Sequence, residues 1–141
     1  MSASLDVSSI TTRPGQGLRV LIADDEADEV MTLGVLLRGA GFDVRTTYGA
    51  NEAIEAARDF HPQAALIDLR MTGGESGYDL AQALRASYGE ACPVLIAVTA
   101  LTGAPDRARA KQSGFQYYFA KPYDPTQLIN LLASLQPQGT F

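Results

Sequence analysis

Asp24, Asp25 and Glu26 follow the apolar run LRVLIA, and Asp68 follows AALI. Thr99 and Ala100 come at the end of PVLIAVT, and Lys121 and Pro122 come after FQYYFA. Each group taken alone has an ordinary reading. Acids at 24–26 suit a helix start, and Asp68 suits a cap. Thr99 suits a strand end that bonds its own backbone, and Lys121 suits a solvated surface. Together they restrict the chemistry. Three carboxylates held close raise one another's pKa unless a cation sits among them. Hard oxygen donors suit magnesium, which takes one or two carboxylates plus phosphate oxygens and keeps several waters. A carboxylate beside such an ion can attack a phosphoryl group in line. Charge on the phosphoryl oxygens can then be met by the metal, by the Lys121 ammonium and by the Thr99 hydroxyl. A flavin or nucleotide phosphate bound directly would need glycine-rich backbone donors after the first run, where this chain carries acids.

The elements that must position these groups are legible in the hydrophobic pattern. The runs Leu18 to Ala23, Phe42 to Thr47, Ala64 to Ile67, Pro93 to Thr99 and Phe115 to Ala120 read as strands. Three are almost continuously apolar, as strands covered on both faces are. Amphipathic stretches lie between them. Val30, Leu33, Leu36 and Leu37 share one helical face, as do Leu80, Ala83 and Leu84 with Ala81 beside them. Leu128, Leu131, Leu132 and Leu135 do the same near the end. Gly39, Gly41 and Gly114 stand where helices should stop, and Asp124-Pro125 is a helix start. The order βαβαβαβαβα predicts a five-stranded parallel sheet with right-handed crossovers. The expected fold is α/β, doubly wound and flavodoxin-like, with strand order 2-1-3-4-5. A closed barrel would take eight strands and a longer chain. Ligands of such sheets bind at the carboxyl ends of the strands, and that is where every reactive candidate stands.

In this arrangement the residues resemble response-regulator receiver domains of two-component signalling, over roughly Leu18 to Leu135. The resemblance rests on Asp24-Asp25 after VLIA, Asp68 after AALI, Thr99-Ala100 after VLIAV and Lys121-Pro122 after YYFA. It implies that Asp68 is the phosphoacceptor. Asp25 would be a direct magnesium ligand, Asp24 one acting more through water, and the Arg70 main-chain carbonyl a further ligand. Lys121 would pair with phosphoryl oxygens, and Pro122 would follow it through a cis peptide bond. Thr99 and Tyr118 would form the switch pair, and small Ala100 would leave the pocket open. The donor would be a histidine kinase or histidine phosphotransfer protein, and the phosphorylated state would act on a downstream protein partner. The domain would catalyse its own phosphorylation and slow dephosphorylation without being a turnover enzyme. The stretch MTGGESGYDL departs from the family, with Thr72 after Met71 and Gly77 nine residues past Asp68. A different loop beside the site is expected.

Composition sets the remaining bounds. The chain has 141 residues, 46% of them hydrophobic, which suits one globular domain. The expected division is a flexible tail or linker at 1–17, the receiver domain at 18–136 and a tail at 137–141. No output domain is expected after it, so the chain reads as a stand-alone regulator or as the receiver piece of a hybrid histidine kinase. A net charge of -5 argues against a general nucleic-acid surface. No apolar run is long enough to cross a bilayer and no signal peptide opens the chain, so a cytoplasmic location without membrane contact is expected. The single cysteine, Cys92, cannot form an internal disulfide, and it and His61 read as structural. Two rivals remain. A phosphorylation-independent module on the same fold would commonly have lost one acid. A haloacid-dehalogenase-type phosphatase would carry two acids spaced two residues apart, and usually a cap domain.

Overall fold

The computed structural model describes residues 17–71 and 76–135. Most of both tails and residues 72–75 of the loop after Met71 lie outside the described residues. Gly17, assigned above to the tail, is buried. A Cβ there would stand 2.1 Å from the Gly41 carbonyl oxygen, so the packed body begins with a glycine that lets two backbones touch.

Five parallel strands form one sheet: β1 (Arg19–Ala23), β2 (Asp43–Thr47), β3 (Ala64–Ile67), β4 (Val94–Thr99) and β5 (Tyr117–Ala120). Their order is β2-β1-β3-β4-β5, as the pattern predicts. The helices are α1 (Ala27–Gly39), α2 (Ala50–Phe60), α3 (Gly77–Tyr88), α4 (Ala104–Ser113) and α5 (Pro125–Leu135). A single 3-10 turn, Gly89–Ala91, leads into β4.

Two apolar layers sandwich the sheet because successive strand side chains point to opposite faces. Leu21, Ala23, Ala65, Ile67, Leu95 and Ala97 face α2, α3 and α4, packing with Ala53, Leu80, Leu84 and Ala110. Val20, Ile22, Leu66, Ile96 and Val98 face α1 and α5, packing with Val30, Leu37, Leu128 and Leu132. Both layers are mainly aliphatic, with Tyr78 and Phe115 in one and Phe42 in the other, and burial favours the fold by about 25 cal/mol per Å² of apolar surface.

Local chemistry fixes the helix ends. Ser76 and Asp79 make a reciprocal capping box at the start of α3. Asp124 accepts a bond from the Thr126 amide at 2.9 Å, which caps α5 ahead of Pro125. Gly114 closes α4 at φ 109°, a left-handed conformation that favours glycine.

The helix-face readings need two adjustments. Leu36 is largely exposed rather than packed with Val30 and Leu37, and Ala81 rather than Ala83 reaches the core of α3. In both helices the buried stripe is narrower than the apolar pattern. In β5 the ladder starts two residues later than the apolar run. Gln116 uses its amide and side chain to bond the Leu95 backbone, at 2.8 and 3.1 Å.

Candidate functional site

The strand register places the reactive residues. Ala23 pairs with Ile67, so the residues that follow, Asp24 and Asp68, leave the sheet side by side. Ladder bonds continue past the strand ends, from the Asp68 amide to the Ala23 carbonyl at 2.9 Å and from the Lys121 amide to the Thr99 carbonyl at 2.8 Å. Four separate loops therefore converge on one edge.

Carboxylate oxygens of Asp24, Asp25 and Asp68 lie within 4.8 Å of one another. Asp24 and Asp68 are buried, and Asp25 is half-buried. One oxygen of each buried acid is held by the backbone two residues on. The Glu26 amide donates to Asp24 Oδ1 at 2.9 Å, and the Arg70 amide donates to Asp68 Oδ1 at 3.0 Å. The other oxygens accept from Lys121 Nζ, at 3.0 Å for Asp24 and 3.2 Å for Asp68. The acids thus present fixed oxygens to one point, the arrangement a hard cation requires.

The electrostatics follow from burial. Burial pushes the Asp24 carboxyl up to about 6 and the neighbouring Asp68 adds to the rise, while the Glu26 amide and Lys121 pull against it. For Lys121 burial works against the charge, but bonds from Glu29 and Asp24 and the nearby Asp68 outweigh it, so the ammonium is held above its ordinary range. A cleft of about 470 Å³ opens over these groups, lined by Asp25, Glu26, Glu29, Asp68, Arg70, Ala100 and Lys121.

Every candidate site residue named in the sequence stands at this edge or beside it. Lys121-Pro122 is a cis peptide bond, and Ala100 is exposed at the cleft. Thr99 is fully buried, and its hydroxyl accepts from the Leu101 amide at 3.2 Å, the local loop bond open to a strand-end threonine. Tyr118 is half-buried, and its hydroxyl donates to the Leu101 carbonyl. The Arg107 guanidinium lies 4.4 Å from the Tyr118 ring centroid. Leu101 therefore links Thr99 to Tyr118.

Glu29 was not anticipated. Its carboxylate is a third partner of Lys121, reached from the first turn of α1. The signal for it was an acid four residues past Asp25 at a helix start, where macrodipole chemistry alone accounts for an acid. The glycine flagged beside the site, Gly77, has a structural reason. A Cβ there would meet the Asp68 carbonyl oxygen at 2.3 Å, so α3 begins directly on the Asp68 backbone. Elsewhere, burial pushes the Cys92 thiol up, and the His61 carbonyl accepts from Arg19 Nε at 2.7 Å.

Comparison with known proteins agrees with the geometry. The pattern of the response regulator receiver domain matches residues 20–133. The DNA-binding response regulator MtrA of Mycolicibacterium paratuberculosis is 35% identical over 111 residues, covering 79% of this chain and 48% of that protein. The transcriptional regulatory protein PrrA of Mycobacterium tuberculosis is 31% identical over 117 residues, covering 83% and 49%. The chain spans about half the length of these relatives. Among solved structures, chemotaxis protein CheY4 of Vibrio cholerae superposes with TM-score 0.77 at 22% identity, covering 84% of this chain and 98% of that one. A CheY-like receiver domain protein of Methanospirillum hungatei superposes with TM-score 0.76 at 20% identity, covering 83% and 91%. The chain belongs to the response regulator receiver domain family of two-component signalling.

Proposed function

We propose that Asp68 accepts a phosphoryl group from a phosphohistidine donor and that the modified domain presents a changed surface to a downstream protein. The observation that carries this is the convergence of Asp24, Asp25 and Asp68 on Lys121 at the carboxyl edge of the sheet. Magnesium fits the donor set: three carboxylates within reach of one another, two of them buried, with Asp24 raised to about 6 by burial. Asp24, Asp25, Asp68 and the Arg70 carbonyl would hold it. Bound there, it would neutralise the acids and stabilise charge on phosphoryl oxygens.

The protein's own groups divide the remaining work. An oxygen of Asp68 forms the new bond to phosphorus as the phosphorus–nitrogen bond breaks. The imidazole nitrogen keeps the bonding pair and leaves as neutral imidazole once the ring has taken a proton from solvent. The Arg70 amide fixes Asp68 Oδ1, which limits the carboxylate's rotation. Lys121 supplies a cation that meets the phosphoryl oxygens. Thr99 breaks its bond to the Leu101 amide and turns its hydroxyl to the phosphoryl group. Tyr118, held on the carbonyl of the same Leu101, changes position with it, and the population of the two states shifts. The same groups expose the acyl phosphate to water, so the domain catalyses its own phosphorylation and slow loss.

A protein donor is supported by α1. Met31 and Val35 are 66% and 63% exposed there. On the same helix, Leu33 and Leu36 line a groove of about 550 Å³ together with Lys121, Pro122 and Tyr123. Exposed apolar surface beside a reactive site marks a docking face. The donor is a histidine kinase or phosphotransfer protein, and the chain acts in the cytoplasm as a stand-alone regulator or within a hybrid kinase. The receiver unit begins at the packed Gly17 and runs to 136, with tails on either side. Among the described residues no helix is long and apolar enough to cross a membrane.

The deciding experiment is intact mass after incubation with acetyl phosphate and magnesium. Wild type should gain one phosphoryl group and Asp68→Asn none. No adduct on wild type, together with beryllofluoride leaving the Thr99 and Tyr118 NMR signals unmoved, overturns the proposal.

A further inference from the structure

We propose that Glu29 is a positioning residue that restrains Lys121 and thereby slows phosphorylation by small phosphodonors. This rests on Asp68 being the acceptor. Lys121 Nζ is held by carboxylates from Asp24, Asp68 and Glu29. The first two belong to the acidic cluster. Glu29 does not. It projects from the first turn of α1, and its side chain is 47% exposed against 7% for that of Asp68.

This difference matters when the site is charged with a cation. Asp24 and Asp68 then have another positive partner and their hold on Lys121 weakens. The Glu29 bond has no such competitor, so it becomes the main restraint on the ammonium. A phosphoryl group on Asp68 must draw Lys121 away from Glu29 to gain its charge. The carboxylate also lines the entrance of the cleft that an anionic donor enters.

Glu29 faces two ways. It lines both the acidic cleft and the neighbouring groove formed with Leu33, Leu36 and Tyr123. A small donor enters the cleft without occupying the neighbouring groove, so it meets the restrained Lys121. A protein seated on α1 reaches the exposed carboxylate and can satisfy it with a cation of its own, which frees Lys121 for the reaction. Glu29 thus favours docked donors over free ones.

The probe is phosphoramidate with magnesium. The bond from Asp68 oxygen to phosphorus forms as the phosphorus–nitrogen bond breaks, and the nitrogen of the zwitterion departs with the bonding pair as ammonia. Phosphorylation rate would be followed by intact mass for wild type, Glu29→Gln, Glu29→Asp and Glu55→Gln. Glu55 is exposed on α2, and its substitution removes the same net charge away from the site. Glu29→Gln should speed phosphorylation about five-fold, the scale of one partly exposed ion pair, and should tighten beryllofluoride binding by a similar factor. Glu29→Asp, one methylene too short to hold Lys121, should match Glu29→Gln. Glu55→Gln should match wild type.

In NMR the Lys121 Nζ protons should exchange with water faster in both Glu29 variants, a readout that folding stability alone does not move. An unchanged or slower Glu29→Gln rate overturns the inference while leaving Asp68 as acceptor. Glu29→Asp behaving as wild type beside a faster Glu29→Gln also overturns it, since bare charge repulsion would then be the cause. Wild type that takes no phosphoryl group from phosphoramidate sinks the inference together with the reading on which it rests.

Discussion

Asp24 shows how a single residue can carry a pH signature. Its carboxyl is raised from 3.8 to about 6, chiefly by burial. A carboxyl raised on folding binds its proton more tightly in the folded state. Its contribution to stability is therefore complete below pH 3.8 and is lost as pH rises through about 6. The shift is the net result of burial and the neighbouring Asp68 against the Glu26 amide and Lys121. The metal-free protein should lose melting temperature between about pH 4 and pH 6 through this group, and the slope should flatten in Asp24→Asn. Divalent metal needs the ionised acid, so magnesium affinity measured calorimetrically should fall as pH drops below about 6. An affinity that is flat from pH 7 to pH 5 would contradict the role given to Asp24.

Two elements make separable predictions. Helix α3 starts on the Asp68 backbone because Gly77 has no Cβ. Gly77→Ala would push a Cβ into backbone, 2.3 Å from the Asp68 oxygen and 2.8 Å from the Leu69 Cα. Overpacking of this kind costs about 1–3 kcal/mol. Urea denaturation should show the loss, and the displaced Asp68 should accept phosphoryl more slowly. Helix α1 carries the other prediction. Met31→Asp with Val35→Asp should weaken transfer from a phosphohistidine protein at least ten-fold, the effect of losing buried anchors at about 1–2 kcal/mol each. Both residues are exposed, so the change should leave melting temperature and acetyl phosphate labelling nearly unaltered. Equal loss with both donors would mean that α1 is no docking face.

At the scale of the whole molecule, the site at the sheet edge is joined to α4 through Leu101. Thr99 accepts from its amide, Tyr118 donates to its carbonyl, and Arg107 of α4 lies over the Tyr118 ring. Beryllofluoride with magnesium should shift amide signals of Leu101, Tyr118 and Arg107 together. Thr99→Ala should bind the same mimic yet leave Tyr118 and Arg107 near their resting positions. If Arg107 still moves fully in Thr99→Ala, the coupling does not pass through Thr99. Arg107, Arg109 and Lys111 make α4 basic, which would suit an acidic partner. Reversing the charge of Arg107 and Arg109 should lower that partner's affinity.

The sheet and its order were legible in the sequence because strands covered on both faces read as near-continuous apolar runs, as AALI and VLIAVT do, and these alternate with helical stretches. The reacting groups were legible for a related reason. A doubly wound sheet sends the residue after each strand to a common edge, so Asp24, Asp68, Thr99 and Lys121 could be placed there by topology. Finer matters depended on three-dimensional packing. Leu36 has the spacing of a core residue, but only packing decides which part of an apolar stripe a neighbouring element covers. Periodicity could not tell that Gly77 touches the Asp68 backbone, since that contact joins a helix start to a strand end. Nor could it pair Glu29 with Lys121, 92 residues apart. An acid in a first turn is explained by its own helix, and its choice of partner exists only once α1 and the end of β5 have been brought together by the fold.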